Sequence, residues 1–197
     1  MIDNRLRLAL LAPAIAVSVA GCGINSVPTA EENAKAKWAN VQADYQRRAD
    51  LIPNLVETVK GFAKQESDVL VQVTEARAKA TQTTLNPADL NDPAKVKAFQ
   101  DAQGAVSAAL VNFRSITEAY PELKSNENFL ALQSQLEGTE NRINVSIKDY
   151  NEAVQSYNTR IRTFPDMIGA KIIHGAQPMV PFQAQPGSDK APPVKFG

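Results

Sequence analysis

Metal and redox chemistry find almost no raw material in this chain, which has one cysteine, Cys22, and one histidine, His174, among 197 residues. A single cysteine excludes an intramolecular disulfide, and a single imidazole excludes any site that needs two. Net charge is lacking too. Lys plus Arg and Asp plus Glu both total 21, so no general positive field draws in nucleic acid, and none is expected as a partner. There is no glycine-rich phosphate loop and no nucleophile elbow. The carboxylates Glu31 with Glu32, and Glu137 with Glu140, lack a histidine at the spacing of a zinc or di-iron site. The chain is therefore expected to hold no metal and no cofactor and to be no enzyme.

What is present begins with Val19-Ala20-Gly21-Cys22, a small-residue run closing an apolar stretch that follows Arg5 and Arg7. Positive charge, an apolar run and a small-residue cleavage site form the layout of a bacterial secretory signal. A cysteine just after that site resembles the lipobox of bacterial lipoproteins, which implies acylation of Cys22 and removal of 1–21. The apolar run is about a dozen residues, short of the ~20 that cross a bilayer. Durable attachment then rests on acyl chains at Cys22. Residues 22–28 are expected to form a lipid-anchored tether.

From 29 to 165 the apolar residues recur at spacings of three and four, the signature of helix. Thr29-Ala30-Glu31-Glu32 fits a capping box opening the first segment, whose seam is Ala34, Trp38, Val41, Tyr45, Arg48 and Ile52. The second seam runs from Leu55 through Phe62, Val69 and Val73 to Ala80, ending near Leu85. The third starts near Pro93, carries Val96, Phe99, Gln103, Val106, Leu110 and Phe113, and stops at Pro121. The fourth runs from Ser125 to Phe164 with Leu136, Ile143, Tyr150, Val154 and Tyr157 on its stripe. Short loops predict an all-α, antiparallel up-and-down bundle. It has four helices if the chain reverses at Pro53, or three if one long helix kinks there. Gly61, Gly104 and Gly138 interrupt the helical pattern and point to close helix approach. Residues 166–197 carry prolines and glycines and are expected to be largely irregular, with a flexible C-terminal tail.

Two stretches stand out chemically. One is Tyr45-Gln46-Arg47-Arg48-Ala49-Asp50-Leu51-Ile52-Pro53-Asn54-Leu55-Val56. The other is Tyr150-Asn151, repeated seven residues later as Tyr157-Asn158 and followed by Phe164-Pro165. Together with Gly21-Cys22-Gly23, they resemble the lipidated branch of the LemA family of bacterial envelope proteins. The resemblance implies a helical bundle attached to membrane, with no agreed activity. The chain departs from the family pattern at Ile24 and across Lys171-Ile172-Ile173-His174-Gly175-Ala176.

Arg47, Arg48, Asp50, Asn54, Tyr150, Asn151, Tyr157 and Asn158 form the candidate polar set. On the structural reading Arg48, on an apolar seam, pairs with a carboxylate, and Asp50 or Asn54 caps backbone groups freed by Pro53. On the functional reading they form a recognition patch. Tyr150, Tyr157 and Phe164, seven apart, fall on one helix face. The expected function is a non-catalytic, membrane-anchored envelope lipoprotein acting as an interaction or scaffold module. Its partners would be the membrane, through lipidated Cys22, and an envelope protein or a second copy. It would face the periplasm at the outer membrane, since glycine rather than aspartate follows Cys22. The alternative is a ligand-carrying or enzymatic bundle with a polar pocket around Arg48, Asp50 and Tyr150.

Overall fold

The computed structural model describes residues 4–63 and 65–183, with side-chain environments from residue 25 onward except at 64, 114, 115, 117 and 118. Among the described residues the chain is all-helical, with six α-helices and one 3-10 turn. They are α1 (Asn4–Lys60), α2 (Ser67–Gln82), α3 (Pro93–Ala119), α4 (Pro121–Lys124), α5 (Glu127–Arg160) and α6 (Asp166–Ile172), with the 3-10 turn Pro87–Asp89 between α2 and α3. The expected leader 1–21 and the lipidation site Cys22 carry no described side chains. Among the described residues no helix is long and apolar enough to cross a membrane.

The helix ends follow local chemistry. Asp92 caps α3, its Oδ1 accepting from the Ala94 and Lys95 amides at 2.9 and 3.3 Å, and Pro93 occupies the first turn, where a missing N–H costs nothing. Asn126 caps α5 through the Phe129 amide at 3.0 Å. At 34 residues, α5 is about 51 Å long.

Several expectations are corrected. The chain does not reverse at Pro53: α1 runs through it, and the turn comes at 61–66. Residues 25–28 are not a tether but part of α1, with Val27 fully buried. Thr29 is therefore interior to a helix and caps nothing. Its hydroxyl donates back to the Asn25 carbonyl at 2.6 Å, the usual bond of a mid-helix threonine. Phe62 falls in the turn and is exposed. The last long helix stops at Arg160, which takes Phe164 off the Tyr150–Tyr157 face and leaves it 69% exposed. The region after 165 is also more ordered than its prolines imply. It holds α6, and Met179 and Phe182 are buried core residues; only 184–197 of the expected flexible tail lie outside the described residues.

Helices α1 and α5 run antiparallel, as the pairs Lys37–Asp149, Asp44–Ser146 and Arg48–Glu140 show. Helix α2 packs on α1 and α3, and α6 on α1. The interior consists of two apolar clusters. One gathers Trp38, Leu85, Phe99, Tyr150, Tyr157, Met179 and Phe182. The other gathers Ile52, Leu55, Val73, Val106, Phe113, Phe129 and Leu136. Arg48 and Gln103, both buried, lie between them.

Candidate functional site

Arg48 sits on the inward seam of α1 with 2% exposure, and a buried cation must find charge or dipoles on every side. Its Nη1 donates to Ser107 Oγ and to Glu140 Oε1, both at 2.9 Å. Its Nη2 donates to the Gln103 carbonyl at 3.0 Å and to Gln103 Oε1 at 2.8 Å. The guanidinium also lies 5.0 Å from the centre of the Tyr45 ring, within cation–π range. One side chain thus ties α1 to α3 and α5. Burial pushes the Tyr45 phenol up to about 12, with the Arg48 charge opposing part of that rise.

Pro53 cannot donate to the carbonyl four residues back, which leaves the Ala49 oxygen without its helical partner. Arg77 of α2 fills the gap, its Nε donating to that oxygen at 2.6 Å. At Pro53, then, the missing helical bond is replaced from a neighbouring element. Asp50 and Asn54 do not do this work. Asp50 is exposed and accepts from Gln46 at 2.7 Å; Asn54 and Arg47 are exposed as well.

The doubled Tyr-Asn motif has a single structural meaning. Asn151 exchanges two hydrogen bonds with the backbone of Phe182, donating to its carbonyl at 3.0 Å and accepting from its amide at 2.8 Å. Asn158 does the same with Met179, at 2.8 and 2.9 Å. The Tyr150 hydroxyl donates to the Val180 carbonyl at 3.1 Å, and the Tyr157 hydroxyl to the Gln177 carbonyl at 3.0 Å. Six bonds therefore hold residues 177–182 along α5 as an extended strap. Seven helical residues advance about 10.5 Å, and three residues of polyproline-like chain cover about 9.3 Å. The seven-residue step from Asn151 to Asn158 thus matches the three-residue step from Phe182 back to Met179.

The strap carries its own repeat, Gln177-Pro178-Met179 followed by Val180-Pro181-Phe182. Pairing two Tyr-Asn dipeptides with two x-Pro-apolar triplets was the signal that could have located it from sequence. Each proline lacks an N–H, so the strap's donors are limited and the Asn side chains use those of Met179 and Phe182. Phe182 then enters an aromatic cluster, 5.6 Å from both Trp38 and Tyr150. Burial raises the phenol pKa values of Tyr150 and Tyr157.

The expected polar set is therefore divided rather than gathered. An open cleft of about 640 Å³ between α3 and α5 is lined by Tyr45, Arg48, Ser107 and Glu140 and, of the rest of that set, by Asn151 but not by Asp50 or Tyr150. A second, about 450 Å³, continues past Ser107 and Glu140 to Leu110, Phe113 and Phe129. Among the described residues no group of three or more His, Cys, Asp or Glu side chains is placed to hold a metal ion. Gln103 stood out in the sequence only as a polar residue on the α3 seam; Arg77 and Ser107 could not be foreseen, because nothing in their local sequence distinguishes them.

Residues 37–196 match the LemA family. Magnetosome protein MamQ 2 of Paramagnetospirillum magneticum is 26% identical over 181 residues, covering 84% of this chain and 66% of that protein. Magnetosome protein MamQ of Magnetospirillum gryphiswaldense is 25% identical over 182 residues, with the same coverage. Protein LemA of Metamycoplasma hominis is 27% identical over 124 residues, 63% of this chain and 52% of its own length. The chain thus spans just under two thirds of the MamQ proteins and about half of that LemA protein. The family match takes in the proline-bearing α1 segment, both Tyr-Asn dipeptides and the strap they hold, and the chain belongs to the LemA family.

Proposed function

We propose that this chain is a non-catalytic, membrane-anchored envelope lipoprotein that serves as an interaction or scaffold module. In this reading the leader 1–21 is removed, Cys22 is acylated, and the helical body, an up-and-down bundle built on the long helices, faces the periplasm. Glycine after Cys22 favours the outer membrane. Relatives that carry the names LemA and magnetosome protein support a membrane setting.

One observation carries the non-catalytic part. The inward-facing family-motif side chains are spent on holding the fold: Arg48 makes four hydrogen bonds to other helices, and the Tyr-Asn pairs make six to the strap. Groups that turn over a substrate need free donors or acceptors aimed at it. What remains for a partner, whether an envelope protein or a second copy, is the outer surface of a body stiffened by these bonds.

The test places a photo-crosslinker at exposed Arg47 or Leu130 in cells, in the wild-type chain and in Cys22→Ala. A distinctive partner set that collapses when Cys22 is lost is expected. Partners identical to those of an unrelated lipoprotein would remove the scaffold reading, and intact mass of the membrane-extracted protein decides acylation separately.

A further inference from the structure

Most large apolar side chains left in solvent by a folded helical body are scattered, but four of them here fall within ten residues. Phe164 is 69% exposed, Ile168 46%, Ile172 79% and Ile173 57%. They arise where α5 stops early and α6 begins. The inward face of α6 is Gly169 and Ala170, both buried, so the short helix lies close to α1. Ile168 and Ile172, one turn apart, stay on its open side. Arg162 and Lys171, both exposed, flank the patch.

Its position in the fold says what covers it. Toward lower numbers α1 advances beside α5 toward higher ones, as the Lys37–Asp149 pair sets the register. Carried back eleven residues, that register sets Arg160, the end of α5, level with position 26, four residues from position 22. The apolar patch and the residue that the sequence marks for acylation therefore share one end of the molecule. Acyl chains on Cys22 would hold that end within a few residues' reach of a leaflet. Phenylalanine and isoleucine flanked by long cationic side chains suit the boundary between acyl chains and anionic headgroups, where cationic heads stay in water while their stems lie along apolar surface.

We propose that Phe164, Ile168, Ile172 and Ile173 form a seating surface that rests in the membrane leaflet and fixes how the helical body stands on it. The inference deepens the lipoprotein reading by giving the anchor a second, non-covalent contact. It makes the body stand upright on the bilayer, with the 61–66 turn at the distal end.

The test uses the full mature protein reconstituted in vesicles of phosphatidylethanolamine and phosphatidylglycerol. An environment-sensitive fluorophore is attached to Ile172→Cys or, as reference, to Val111→Cys. Val111 is 64% exposed on α3 and lies beyond the Arg48 layer from position 22. The label at 172 is expected to shift to the blue, with quenching by spin-labelled lipid at least threefold stronger than at 111. Adding Phe164→Glu and Ile173→Glu should reduce that ratio toward one. Equal exposure of both labels to water, with acylated Cys22 found by intact mass, overturns the seating surface and leaves the lipoprotein reading standing. Strong lipid quenching at 172 with an unmodified Cys22 does the reverse. A label shielded from aqueous iodide yet untouched by spin-labelled lipid would mean that protein covers the patch, and would also overturn it.

Discussion

At Arg48 a guanidinium is buried with bonds to Ser107, Glu140 and both ends of the Gln103 residue. Truncating it strands the Gln103 groups in a region that water barely reaches. Arg48→Ala is expected to lower the unfolding free energy by about 1–3 kcal/mol for each Gln103 acceptor left unpaired, the usual cost of an unsatisfied buried polar group. Glu140→Gln should cost only about 1 kcal/mol, because that carboxylate is 37% exposed and its water-screened charge contributes little. Urea unfolding of both variants measures the difference; equal losses would show that the layer is not organised around the arginine. Gly138 is the opposite case. It lies inside α5 but a Cβ there would meet nothing within 4 Å, so close helix approach does not account for it. Gly138→Ala should stabilise the protein by about 0.5–1 kcal/mol through a less flexible unfolded chain, seen as a higher midpoint in the same titration.

For α1 as an element, the question is how a 57-residue helix tolerates Pro53, one of its three prolines. The Arg77 bond to the Ala49 carbonyl answers it, and a double-mutant cycle tests the answer. Arg77→Ala should cost about 1–3 kcal/mol while Pro53 is present, since it orphans a carbonyl. In a Pro53→Ala background, where residue 53 supplies its own N–H, the same change should cost much less. Additive losses would mean that Arg77 acts elsewhere. The strap on α5 permits a second test. Asn151→Ala and Asn158→Ala each leave an amide and a carbonyl without partners. The expected outcome is faster amide exchange across 177–182, with α3 and the Arg48 layer still protected. Protection lost uniformly through the protein would show instead that the strap is inseparable from the core.

The whole molecule joins two apolar clusters through a polar layer, and three of its buried or half-buried tyrosines share one pH response. Burial raises the phenol pKa values of Tyr45, Tyr150 and Tyr157 in the folded state, Tyr45 to about 12. An unfolded tyrosine ionises near 10. Above that pH the unfolded chain therefore binds fewer protons than the native one, and stability falls as pH rises. Stability should be unaffected by these groups below pH 10 and decline steadily between about pH 10 and 12. Phenolate absorbance should appear late in the native protein and jump on unfolding. Phenolate absorbance for these residues growing in near pH 10 while the fold persists would contradict the burial assigned to them.

The seams of α1, α3 and α5 were readable in the chain because each carries its apolar residues at helical spacing over many turns, which only one burial face satisfies. The start of α3 near Pro93 was equally local. Helix type, the Tyr-Asn repeat and the candidate lipidation site at Cys22 are thus properties of the sequence by itself. Tertiary structure alone decided the rest. Whether Pro53 reverses the chain depends on a donor from Arg77, 24 residues away in sequence. Whether prolines 178 and 181 make a loose end or a bound strap depends on two asparagines whose side chains pair with the backbone of Met179 and Phe182. A periodic pattern names the face that must be buried. The hydrogen-bond partners of a proline-interrupted backbone come from elsewhere in the chain, and only the folded packing brings them within 3 Å.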